Sequence, residues 1–148
     1  KEKEIITEEL KTSGKEPKIA EKIAVGKLGV LLSIETTKKD DEALSNFGKN
    51  LAMHIAASAP LAIDKNDLDR EIISKEKEII TEELKNTGKD IKIIDKIAMG
   101  KLNKFISDNT LLNQEWVMEP KKKVKDILKE LSISDLKIKD FYRLKIGE

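Results

Sequence analysis

Over residues 42–58 hydrophobic side chains recur three or four apart: Leu44, Phe47, Leu51 and Ile55 fall on one side of a helix. Ala52, Met53, Ala56 and Ala57 widen that face, which predicts the most deeply buried helix of the chain, ended by Pro60. Residues 27–37 carry Val30, Leu31, Leu32 and Ile34 behind a glycine and read as a strand. At the far end, residues 136–148 alternate Ile138, Phe141 or Tyr142, Leu144 and Ile146 with charges, the pattern of a half-buried strand. Residues 121–131 place Val124, Ile127, Leu128 and Leu131 on one face of a short amphipathic helix, and residues 108–120 before it read as loop or extended chain. Residues 61–67 form a short extended linker, after which Asp67 or Asp69 can cap a long helix.

The chain also repeats itself. Residues 1–27, KEKEIITEELKTSGKEPKIAEKIAVGK, return as residues 75–101, KEKEIITEELKNTGKDIKIIDKIAMGK, with seven differences and 20 identities at a constant offset of 74. Convergence on a helical pattern would not reproduce polar surface positions, so one segment has been duplicated. In the second copy Ile73, Ile80, Leu84 and Thr87 form one apolar stripe, and Ile91, Ile94, Ala98, Leu102 and Phe105 form another. Gly88 suits the position just past a helix end, Lys85 the negative end of the dipole and Asp90 the cap of the next helix. The first copy has Gly14, Glu16 and then Pro17, whose fixed φ suits a first helical turn. Each copy is therefore expected to be a helix–glycine–helix hairpin, an antiparallel coiled coil. Few strands and many helices give an α+β fold: a small antiparallel sheet covered by helices, with a protruding hairpin.

Charge narrows the function classes. The 148 residues hold 29 Lys and Arg against 28 Asp and Glu, a net charge of +1, so no overall field steers nucleic acid or an anionic membrane. Arg70 and Arg143 are the two arginines beside 27 lysines, which leaves bidentate phosphate or guanine recognition poorly supplied. The run Lys121-Lys122-Lys123 near Trp116 reads as a solvated helix start beside a packing anchor, and not as a nucleic-acid site. The absence of cysteine excludes disulfides and thiolate chemistry and fits a cytoplasmic protein. No apolar run approaches the roughly 18 residues of a membrane span, and the charged start is unlike a signal peptide.

His54, the one histidine, reads as a helix residue at a core edge or an interface, with no Ser in a nucleophile-elbow context beside it. Gly26-Lys27-Leu28-Gly29 matches neither phosphate-binding glycine pattern. No catalytic residue, metal site or cofactor is expected, and the chain is read as an interaction protein and not an enzyme.

Five stretches in order resemble the bacterial elongation factor Ts family, in the C-terminal half of its core (dimerisation) domain. KLGVLL (27–32) is similar to the family's Arg/Lys-Ile-Gly-Val-Leu strand, and LAMHIAASAPLAI (51–63) to its Ile-Ala-Met-His-Val-Ala-Ala helix before proline. Residues 72–105 resemble its helical hairpin, with the Glu-Gly-Arg-x-x-Lys-Phe ending. Residues 111–131 resemble its Gln-x-Phe-Val-x-x-Pro-Ser-Lys-Thr-Val segment, and FYRLKIGE (141–148) its closing strand. The resemblance covers about residues 27–148 and makes 28–148 the core subdomain, with a hairpin at 70–107 and an extra hairpin copy at 1–27.

It implies a guanine nucleotide exchange factor that binds elongation factor Tu, with Leu28, Gly29 and His54 at the family's contact positions and the hairpin tip around Gly88 as a second surface. The family's Thr-Asp-Phe-Val motif has no counterpart, since Thr37-Lys38-Lys39 follow Glu35-Thr36, and its N-terminal helical domain is absent. Exchange by such a fragment is expected to be weak. An assembly module built on the coiled coil, without exchange activity, is the alternative. With a hairpin in place of the strand that precedes KLGVLL, the sheet would keep an open edge that a second chain could fill as a homodimer.

Overall fold

The computed structural model describes residues 4–10, 18–25, 28–38, 41–88 and 90–146, the first two stretches by their backbone alone. In chain order the elements are strands β1 (Glu4–Leu10), β2 (Lys18–Val25) and β3 (Leu28–Glu35), then helices α1 (Glu42–Ser58), α2 (Arg70–Lys85) and α3 (Ile91–Asn109). A 3-10 turn at Leu111–Asn113 leads to β4 (Glu115–Trp116), β5 (Glu119–Lys123), α4 (Val124–Glu130) and β6 (Lys137–Lys145). The fold is α+β. The chain divides into two compact units, residues 1–59 with 115–148, and residues 60–114.

In the first unit the strands form an antiparallel sheet in the order β1-β2-β3-β6, with β3 bonded on both sides. Val30, Leu32 and Ile34 alternate along β3 and are buried. The expected helix forms with its full length: Asp41 caps α1 by accepting the Leu44 N–H at 3.2 Å, and Leu44, Phe47, Leu51 and Ile55 are all buried. Each such side chain contributes about 1.5–3 kcal/mol by leaving water. Ala57 lies outside that face and is exposed. The helix ends at Ala59, whose φ of 44° is left-handed and whose N–H reaches Ile55 O at 3.0 Å; Pro60 follows and cannot continue the ladder.

The first repeat copy is not helical where it is described: residues 4–10 and 18–25 are strands, so the expected second hairpin at 1–27 is corrected. β2 runs along β3 from Val25 opposite Leu28 to Lys18 opposite Glu35, and β1 continues the sheet. The backbone N–H and C=O groups of that edge of β3 need partners, and the chain just upstream supplies them. The open β3 edge expected from the sequence is therefore filled within the chain. Two smaller corrections follow. Lys121–Lys123 belong to β5, which holds Pro120, so the helix starts at Val124 with Asp126 accepting the Lys123 N–H at 3.1 Å. In β6, Ile138 and Phe141 are half-buried while Tyr142 and Leu144 are exposed, as is Ile146 just beyond the strand.

The second unit is the hairpin with its base. Ile80 and Leu84 of α2 are buried with Ile94 and Ala98 of α3, and Ile97 and Leu102 pack against them. These pairs lie symmetrically about the turn, which makes the helices antiparallel, and Lys101 meets Glu83 across the seam at 3.3 Å. Asp69 caps α2 through the Glu71 N–H at 2.8 Å, and Asp90 caps α3 through the Lys92 N–H at 2.9 Å. Residues 61–67, expected as a plain linker, bend and join the base. Leu61 N–H donates to Asn109 O at 2.8 Å, Leu111 N–H to Ala62 O at 2.8 Å, and the Asn113 side-chain amide to Asp64 at 3.0 Å.

Candidate functional site

The first turn of β3 holds Leu28 and Gly29, both half-buried. Gly29 stands opposite Ala24 of β2 and Leu144 of β6, and Leu31 stands opposite Tyr142. Residues directly opposite in an antiparallel pair share a face. The face of β3 turned away from Val30, Leu32 and Ile34 therefore carries Leu144, 74% exposed, beside Gly29, and Tyr142, 59% exposed, beside Leu31. Ile146, 72% exposed, follows them along the chain. This is an apolar row in water, larger than sequence alternation alone implied.

His54 occupies α1, the helix that packs on β3. It is fully buried, stacked on Trp116 with ring centroids 5.4 Å apart and planes at 16°. Phe47, two turns earlier on the same helix face, also stacks on Trp116 at 5.9 Å. The Val117 N–H donates to His54 Nδ1 at 3.3 Å, which places the neutral ring's proton on Nε2. His54 thus offers no surface of its own; it holds the β4–β5 turn, where Val117 and Met118 are exposed. The sequence marked Trp116 as a packing anchor, and the stack bears that out. It gave no sign of the turn, because the contact joins residues 63 apart.

Other polar contacts fix the same unit. Thr36, buried, donates through Oγ1 to Asp135 at 3.3 Å, and the Thr37 N–H donates to the other carboxylate oxygen. Hydrogen bonds from the Thr37 side chain and backbone, with a smaller one from Thr36, hold the Asp135 carboxyl below its usual range. Arg143 Nε donates to Ala56 O at 3.3 Å, tying β6 to the end of α1. Lys122 meets Glu130 at 2.9 Å and Glu119 at 3.1 Å, and those two hydrogen-bonded carboxylates raise its pKa. Part of the lysine run is therefore committed to internal carboxylates.

Gly88 lies in the second unit, at the exposed turn of the hairpin, with φ +67°. A Cβ there would meet no neighbour within 4 Å, so backbone conformation alone calls for glycine. Among the described residues there is no group of three His, Cys, Asp or Glu that could hold a metal, and no helix is long and apolar enough to cross a membrane.

The family model described as Elongation factor TS matches residues 25–148. Among curated relatives, Elongation factor Ts of Syntrophotalea carbinolica is 38% identical over 128 residues, which is 84% of this chain and 42% of that protein. That of Bartonella tribocorum is 41% identical over 127 residues, 84% of this chain and 41% of that protein. That of Caldanaerobacter subterraneus subsp. tengcongensis is 38% identical over 129 residues, 83% of this chain and 64% of that protein. The chain spans about two fifths of the length of the first two, and nearly all of the first repeat copy lies outside the family match.

Proposed function

The chain belongs to the elongation factor Ts family, and from that premise we propose that it binds the GTPase elongation factor Tu and promotes its exchange of GDP for GTP. The observation that carries this reading is the family match over 25–148, which includes the start of β3, α1 and the β4–β5 turn. The chemistry is binding alone: the factor favours a form of the GTPase that holds nucleotide poorly, and nucleotide expels the factor by the same coupling. Neither a catalytic residue nor a cofactor is invoked, and neither nucleic acid nor membrane is a partner. The site of action is the cytoplasm.

Leu28 and Gly29 contact Tu at the start of β3, and His54 acts through the Trp116–Val117 turn that it holds. The hairpin tip at Gly88 supplies a second surface. Exchange is weak in isolation, because the family's Thr-Asp-Phe-Val motif does not occur in the 148 residues and Thr37-Lys38-Lys39 follow Glu35-Thr36. The exposed row of Tyr142, Leu144 and Ile146 supports self-association as a homodimer, in place of the edge pairing that β2 already satisfies. Sedimentation of the chain and of a Leu144→Lys variant tests it, with dimer expected from the first only.

Release of labelled GDP from Tu is the decisive assay for exchange. The chain should accelerate release measurably and bind Tu, and the absence of both effects would remove the reading. A coiled-coil assembly module without exchange activity is the second reading, favoured by the exposed Ile91, Ile93 and Met99 on α3. His54→Ala should weaken Tu binding on the first reading and leave assembly untouched on the second.

A further inference from the structure

Two segments with 20 identities in 27 positions take different folds in one molecule: residues 4–10 and 18–25 are strands, while their counterparts at 78–84 and 92–99 lie in α2 and α3. The geometry points to residues 4–10 and 18–25 as a convertible strap, held as two paired strands by the edge of β3 and able to leave that edge as two helices of the kind their own copy forms.

Three of the seven differences bear on which state each copy takes. Ile94, buried in the hairpin core, is replaced by Ala20, so a helical first copy would lack one of its four core side chains. Asp90, which caps α3, is replaced by Glu16, a weaker N-cap. Met99 is replaced by Val25, whose β-branch favours a strand. Yet the first apolar stripe (Ile6 and Leu10), Gly14 and most of the charged positions survive. The first copy therefore keeps a helical pattern that is weakened at a cap and at the core, and the edge of β3 supplies the ladder that decides the balance. The strap covers the backbone edge of β3 along its length, including Leu28 opposite Val25 and Gly29 opposite Ala24. Its release uncovers that edge whether or not the chain binds elongation factor Tu.

The test restores the second copy's residues in the full chain with Glu16→Asp, Ala20→Ile and Val25→Met. Backbone chemical shifts of residues 4–10 and 18–25 should move from strand to helix, and amide exchange in β3 should rise by about tenfold or more. Strand shifts that persist, or strand shifts lost without helix gained, would overturn the proposal. A second measurement needs no variant: in the unsubstituted chain, the amides of residues 4–10 and 18–25 should open well before those bridging β3 and β6. Exchange of both sets only through global unfolding would overturn it equally.

Discussion

At His54 the ring lies against Trp116 while Nδ1 takes the Val117 N–H, so one side chain sets both the packing and the position of an exposed turn. His54→Ala should destabilise the chain by about 2 kcal/mol through lost packing and an orphaned N–H. Trp116→Ala, which empties a larger site beside Phe47, should cost about 3–5 kcal/mol. Denaturant unfolding followed by α1 exchange measures both. Asp135 gives a pH signature. Its folded carboxyl is held below the unfolded value, so the stability it contributes is present above the unfolded pKa and disappears as pH falls through the folded one. NMR titration should place its midpoint below the ordinary aspartate value, and Thr37→Val should move it upward. The sequence showed none of this, because Thr36 and Asp135 are 99 positions apart and neither type is distinctive.

At the scale of elements, the span of α1 was legible because four side chains at helical spacing and a proline stop agree. The hairpin of α2 and α3 was legible for the same reason, through Asp69, Asp90 and two stripes. The first copy departs from its helical pattern because the edge of β3, only a few residues downstream, offers it a strand ladder that periodicity does not reveal. Two backbone positions yield opposite predictions. Gly88→Ala should lower hairpin stability by about 1 kcal/mol, because φ is positive and no packing compensates. Ala59→Gly should raise stability by a similar amount, about 0.5–1 kcal/mol, by relieving a left-handed alanine at the α1 terminus. Thermal unfolding of each variant reads the sign directly.

Across the whole molecule, two compact units mean that a change in one core need not spread through the other. Leu84→Ala should cost about 2–5 kcal/mol in the hairpin, with faster exchange confined to residues 70–109 and none in β3 or α1. The balanced charge lowered the expectation of polyanionic partners, and the motif order pointed to a family. Leu28, Gly29, His54 and Gly88 could be picked out by that resemblance, but their exposure could not. Burial of His54 depends on Trp116 arriving from a separate strand, and the apolar row on β6 depends on which side of β3 the helix covers.

The hydrogen bond from Leu61 to Asn109, with Ala62 bridged to Thr110, brings the entry and exit of the helical hairpin to adjacent points. Geometrically the hairpin is an excursion that returns to its point of departure. Its arms can therefore lengthen or shorten by whole turns without changing the separation that the flanking chain must span. Replacing residues 63–109 with a short flexible linker should leave the sheet and α1 folded, as read by their unchanged chemical shifts. Arm length is thus free to vary while the two ends of the hairpin stay side by side.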